Sequence, residues 1–279
     1  LCDWSSDVCS SDLLSLPSAM PPSASTGGPS QMLWQPSTQE VRAVLHGLGS
    51  DGTVGASKAA IRIIGEGTPL FVQGYVEYDS KKAGSATVAH LRIGTDPIRA
   101  PYRIQRPTLV AVHHWDALQR LDPLAGMEPG GSLLLNSPWT PTETWRRLPA
   151  RQRARIRRQG LRLWQIDATR LAREAGMGGR INTVMQVAFF AVSGVLPRQR
   201  ALAAIKASIQ HDYGRQGEAV VAMNLRAVEA SLDQLQPLDW RDLPDGADAA
   251  PAPERLAQAP LFVREVIGPL LAGRGDDLP

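Results

Sequence analysis

From Val41 to Ala175 the chain alternates short apolar runs with stretches of helical period, and that alternation restricts it to a sheet with helices packed against it. VRAVLHGLG (41–49) reads as a strand running into a glycine turn, VGASKAAIRIIGEG (54–67) as a helix and PLFVQGYVEY (69–78) as a strand. SATVAHLRIG, LVAVHH, GSLLLN and LRLWQID are further strands, with helices near 141–159 and 168–175 among the later ones. After Gly176 the pattern is helical only: INTVMQVAFFAVSG, a segment opened by Pro197, and RQGEAVVAMNLRAVEASLDQL. The expected fold is therefore α/β, a mixed and partly parallel sheet with covering helices and a helical C-terminal part.

The ends read differently. DWSSDVCSSDL (3–13) back-translates into the end of a common sequencing adapter, so residues 1–13 are set aside as an adapter-like scar. Both cysteines, Cys2 and Cys9, lie in it, and the remainder is expected to carry neither a disulfide nor a thiolate-bound metal or cluster. Three of the 27 acidic residues (Asp3, Asp7, Asp12) lie there too, which leaves 24 against 30 basic ones, a formal charge of +6 in place of +3. Residues 14–40 are rich in Pro, Ser and Gly and read as a linker from a preceding domain. The folded domain is expected over 41–236. Residues 237–279 read as a connector with one helical segment, LFVREVIGPLLAGRG, leading out of the domain. The chain looks cut from something longer. No apolar run approaches the roughly 20 residues of a membrane span, and no signal peptide is apparent, so the expected compartment is the cytoplasm.

The stretch that carries chemistry is GLGSDGTVGASK (47–58). A nucleotide-binding P-loop needs four residues between its glycines and Lys directly after the second; here five separate Gly49 from Gly55 and Lys58 comes three later. The glycines are also misplaced for a dinucleotide fingerprint. The physical ingredients of an anion cradle remain: a strand end, glycines that let backbone approach a ligand, Ser and Thr hydroxyls, and a helix N-terminus with free amides. A thiamine diphosphate site would need an Asn shortly downstream, whereas the first one after Gly52 is Asn136.

A second loop, Tyr78-Asp79-Ser80-Lys81-Lys82-Ala83-Gly84, lies between two strands. Only four residues of the chain are lysines, and three of them (Lys58, Lys81, Lys82) lie in or beside the two loops, where a compact cation suits phosphate. Asn182 follows a glycine-rich turn and reads first as a helix N-cap. Asn224 sits mid-helix, so it is either on the solvent face or paired with something specific. His113 and His114 on a strand would point to opposite faces and cannot share a metal ion; they read as a strand end at the sheet's rim. The arginines from Arg146 to Arg162 read as a solvated face, since no aromatic interleaving or groove-reading motif accompanies them, and no nucleic-acid partner is expected.

Taken together, GLGSDGTVGASKAAIRIIGE (47–66), QGYVEYDSKKAGSATVAHLRIG (73–94), GGSLLLNSPW (130–139) and AREAGMGGRINTVMQVAFFAVSGVLP (172–197) resemble the gamma-type domain of pyruvate:ferredoxin (flavodoxin) oxidoreductases. SLP at 15–17 is similar to the end of the domain that precedes it, and GDDLP to the lead-in to a ferredoxin-like part. The resemblance implies a parent enzyme that decarboxylates a 2-oxoacid on thiamine diphosphate with magnesium. It further implies that the parent passes electrons through [4Fe-4S] clusters to ferredoxin or flavodoxin, captures the acyl group on coenzyme A, and forms a homodimer with no membrane partner. To this segment it assigns no catalytic residue and no metal ligand. It assigns coenzyme A to Ser50, Asp51, Gly52, Thr53 and Val54, with Lys82 as counter-charge and Asn182 and Asn224 as further contacts. Two positions depart from the family pattern, Ser57 for Asn and Val112 for Cys. A structural or docking module without its own ligand is the alternative.

Overall fold

The structure, a computed structural model, describes residues 14–15, 40–49, 51–78, 86–244, 259–271 and 278. The scar, most of the expected linker, Ser50, the turn with Lys81 and Lys82, and much of the C-terminal connector lie outside the described residues.

Eight strands form one sheet: β1 (Leu14–Ser15), β2 (Val41–Leu48), β3 (Phe71–Tyr78), β4 (Ala86–Gly94), β5 (Leu109–Val112), β6 (Ser132–Asn136), β7 (Arg162–Ile166) and β8 (Gln236–Leu238). Their spatial order is β1-β3-β4-β2-β5-β6-β7-β8. β2, β5, β6 and β7 run parallel, in registers such as Val44 beside Val110 and Leu133 beside Leu163. β3 and β4 form a hairpin joined antiparallel to β2, and β1 and β8 are antiparallel edges. The sheet is thus mixed, as expected.

The parallel strands are apolar on successive residues because both faces are covered. Leu109 and Ala111 of β5, with Leu45 and Leu134, pack beneath α1 (Thr53–Gly67), α5 (Ala168–Glu174), α6 (Asn182–Ser193), α7 (Arg198–Tyr213) and α8 (Glu218–Gln234). Val110 and Val112 alternate to the other face, against α2 (Asp116–Arg120), α3 (Pro141–Arg147) and α4 (Ala150–Gln159). The helical pattern over 141–159 resolves into α3 and α4 because Pro149 interrupts it, and Gly160, at φ 61°, closes α4. Several arginines of that region bind carbonyls or carboxylates of their own chain: Arg151 donates to Leu121 O, Arg157 to Leu243 O and Arg155 to Asp122. Arg153 is buried and donates to Leu148 O. The expected solvated face is therefore partly an internal brace.

Three ordered features among the described residues lie beyond the 41–236 limits: Leu14–Ser15, β8 with Trp240, and the helical residues 261–271, where the sequence places a helical segment. Leu14–Ser15 pairs with β3, inside the stretch read as linker. At the other end β8 reaches Leu238, and Trp240 stacks on Trp145 with ring centroids 6.0 Å apart while its indole N–H donates to Leu161 O at 2.8 Å. Composition missed this because one tryptophan supplies the burial that a Pro- and Asp-rich segment lacks on average. Trp240→Ala is expected to cost about 3–5 kcal/mol in urea denaturation.

β5 stops at Val112, so His113 lies just past the strand, 1% exposed. Burial pushes its imidazole down to about 4, against a smaller opposing pull from the Asp51 carboxylate. Between the unfolded value of 6.5 and about 4, the unfolded chain binds a proton that the folded one refuses, so the stability present above pH 6.5 falls as pH drops through this window. Unfolding free energy measured from pH 7 to 4 is expected to lose up to about 3 kcal/mol through this residue, a component absent in His113→Phe.

Candidate functional site

The carboxyl ends of β2, β5, β6 and β7 lie side by side. From β2 the chain turns through α1 to β3 and β4 on one side of the sheet, and then returns to β5 on the other. Such a switch point is where parallel sheets open a crevice at their carboxyl edge. The GLGSDGTVGASK loop leaves β2 at this place.

Within the loop, Asp51 turns both carboxylate oxygens inward. Oδ2 accepts from Leu48 N–H and Oδ1 from Thr53 N–H, each at 2.8 Å. Asp51 therefore closes the turn and caps the first amide of α1. Thr53 is buried at 1% exposure, and its Oγ1 meets His113 Nδ1 at 2.7 Å. Gly47 permits this arrangement: a Cβ there would lie 2.0 Å from Thr53 Oγ1. Gly52 is required twice over, since its φ is +93° and a Cβ would meet Asn182 Cβ at 2.7 Å. Val54 is half-buried, while Gly55 and Lys58 are exposed. The amides of Val54 and Gly55 belong to the first turn, where a helix has no carbonyl of its own to offer them.

Asn182 is the first residue of α6, so the contact at Gly52 brings two helix N-termini together. Both carry the positive end of a helix dipole, which favours an anion between them. Asn182 Nδ2 donates to Tyr213 Oη at 3.2 Å, and its Oδ1 is buried without a protein partner. It does not serve as the N-cap, a place taken by Ile181. Asn224 lies deeper, 4% exposed: Oδ1 accepts from Thr183 Oγ1 at 2.7 Å and Nδ2 donates to Val220 O at 2.9 Å. Its amide braces α6 against α8.

Asp51, Gly52, Thr53, Val54 and Asn182 thus converge on one rim, with Asn224 behind them. Ser50 and Lys82 lie outside the described residues, yet the strands flanking that second turn end beside the loop: Tyr78 pairs with Thr87, and Ala86 with Leu48.

Two residues given no part in binding from the sequence join this site. His113 touches Thr53, as above. Asn136, at the end of β6, donates from Nδ2 to His113 O (2.9 Å) and Thr169 Oγ1 (3.1 Å), while its Oδ1 accepts from Ala168 N–H (3.0 Å). The available signal was positional, since each polar residue directly follows or ends an apolar run that forms a parallel strand.

Comparison with known proteins agrees with this architecture. Residues 42–234 match the family model of pyruvate ferredoxin/flavodoxin oxidoreductase. A putative pyruvate-flavodoxin oxidoreductase from Synechocystis is 48% identical over 239 residues, which cover 86% of this chain and 20% of that protein. The chain therefore spans about a fifth of the length of such relatives. Pyruvate oxidoreductase subunit PORC from Thermotoga maritima shares the fold at a TM-score of 0.55 and 24% identity, over 72% of this chain and 99% of that one. The 2-oxoglutarate:ferredoxin oxidoreductase from Magnetococcus marinus, whose structure holds 2-oxoglutarate, coenzyme A and succinyl-CoA, does so at 0.53 and 17%, over 76% of this chain and 34% of that one. On the family match over most of the described fold and the close relative at 48% identity, this chain belongs to the pyruvate ferredoxin/flavodoxin oxidoreductase family, of which it represents one domain.

Proposed function

We propose that this domain binds coenzyme A for a multidomain 2-oxoacid oxidoreductase, with pyruvate as the 2-oxoacid. The observation that carries the reading is the meeting of the α1 and α6 N-termini at Gly52, with the amides of Val54 and Gly55 in the first turn of α1 and the buried Oδ1 of Asn182 beside Gly52 without a protein partner. Coenzyme A presents phosphates and amide groups, which this set of donors and one acceptor suits. A relative in fold carries coenzyme A, which supports the choice among phosphorylated ligands.

In this reading the residues divide into two kinds. Gly52, Val54 and Asn182 form the contact surface, and Ser50 and Lys82 are the further contacts that the family resemblance implies. Asp51, Thr53 and Asn224 hold that surface in place, because their side chains are already paired with the protein. An inward-turned Asp51 also keeps a like charge away from phosphate. Thiamine diphosphate, magnesium and the [4Fe-4S] clusters belong to other parts of the parent enzyme. The described residues of this domain contain no cysteine and no group of three metal-ligating side chains. The domain's task is to bind and orient the acyl acceptor; oxidation of the 2-oxoacid, delivery of electrons to ferredoxin or flavodoxin, and dimer formation are assigned to the parent enzyme. No described helix is long and apolar enough to cross a membrane, and a cytoplasmic location is part of the proposal.

The docking-module alternative draws on the same internal pairing of Asp51 and Asn224, which suits a turn that is only structural. Titration of the full-length enzyme with coenzyme A separates the two. Lys82→Ala and Gly52→Ala are each expected to weaken binding about tenfold, the size of one charge-assisted hydrogen bond or one strained turn, with no change in KM for the 2-oxoacid. Unchanged coenzyme A saturation together with altered assembly, after replacement of Lys58, Lys81 and Lys82, would favour docking.

A further inference from the structure

We propose that His113, steadied by Asn136, is a positioning residue that aligns the start of α1 for its ligand, an inference that rests on the coenzyme A reading above. Thr53 is the first residue of α1 and is held from two sides: Asp51 Oδ1 takes its amide, and His113 Nδ1 meets its hydroxyl. The first hold belongs to the loop itself. The second comes from β5, across 60 residues of sequence, and ties the loop to the rigid sheet.

His113 is itself fixed at both backbone groups. Its N–H donates to His46 O at 2.8 Å, continuing the β2–β5 ladder past the strand end, and its carbonyl accepts from Asn136 Nδ2 at 2.9 Å. Asn136 spends its other hydrogen on Thr169 Oγ1 and its oxygen on Ala168 N–H, which brings in the start of α5. The ends of β2, β5 and β6 and the first turn of α5 are thereby joined to one hydroxyl on the cradle. A displacement of a fraction of an ångström at Thr53 would carry the amides of Val54 and Gly55 with it, because a helical turn moves as a unit.

The imidazole is a poor choice for stability alone. It is 1% exposed, and its Nε2 is buried without a partner. An unpaired buried polar atom costs stability that an apolar side chain of similar size would not. A position needing only packing has no use for that ring, whereas a position that must orient the Thr53 hydroxyl does.

The test uses the full-length enzyme and isothermal titration with coenzyme A. His113→Phe is expected to raise Kd about tenfold, the loss of one buried hydrogen bond, while KM for the 2-oxoacid stays within about twofold. His113→Asn places an amide where Nδ1 stood and is expected to bind within about twofold of the parent. Thr53→Val should weaken binding as His113→Phe does, and the double variant no further, since both remove the same bond. If His113→Phe does not fold, Thr53→Val against His113→Asn decides on the same terms. Parental affinity in both His113→Phe and Thr53→Val, with weak binding in Lys82→Ala, overturns the positioning role and leaves the coenzyme A reading intact. Parental affinity in all three removes the reading on which it rests.

Discussion

The approach of Gly52 to Asn182 is the contact on which the rest of the rim depends. A residue with a Cβ at position 52 would overlap Asn182 Cβ at 2.7 Å and would have to hold φ at +93°. Glycine removes both penalties, and with it the starts of α1 and α6 close on each other. Two partial positive ends side by side would repel if nothing answered them. The Asp51 carboxylate, which accepts from Leu48 N–H and Thr53 N–H, answers part of that field from within.

The sheet makes this convergence rigid. β2, β5, β6 and β7 are parallel and covered on both faces, so their carboxyl ends form a fixed edge from which four loops start. Polar residues at that edge are shared between neighbours: Asp51 with Leu48 and Thr53, His113 with Thr53, Asn136 with His113 and Ala168. Buried polar groups in such a chain are costly singly and specific together, because each fixes the orientation of the next.

Much of the architecture was legible in the residue pattern. The alternation of period-2 and period-3.6 segments placed the long strands and helices, since both periods follow from local backbone geometry. The glycine spacing marks the turn from β2 into α1 for the same reason: a strand-to-helix turn with glycines has only a few shapes. The family resemblance, carried by four long motifs, agrees with the matched family model. Less legible were the features that depend on distant partners. Asn182 looked like a cap, and its place against Gly52 follows from packing between α1 and α6. For Asn224 the sequence leaves open solvent or a specific partner, and Thr183 is that partner. The sequence places His113 and His114 at a strand end on the sheet's rim; that His113, just past β5, is buried against Thr53 depends on the fold.

The sequence by itself determined the fold class, the order of the elements, the glycine-rich strand-to-helix loop between β2 and α1, and the family. These rest on short-range periodicity and on residue types that a turn or helix start requires locally. Only the tertiary structure decided that Asp51 faces its own backbone, that α6 delivers Asn182 to Gly52, that His113 and Asn136 stand behind Thr53, and that Trp240 closes the sheet beyond residue 236. Each of these is a contact between residues whose identities permit it but whose meeting depends on the register of the whole sheet.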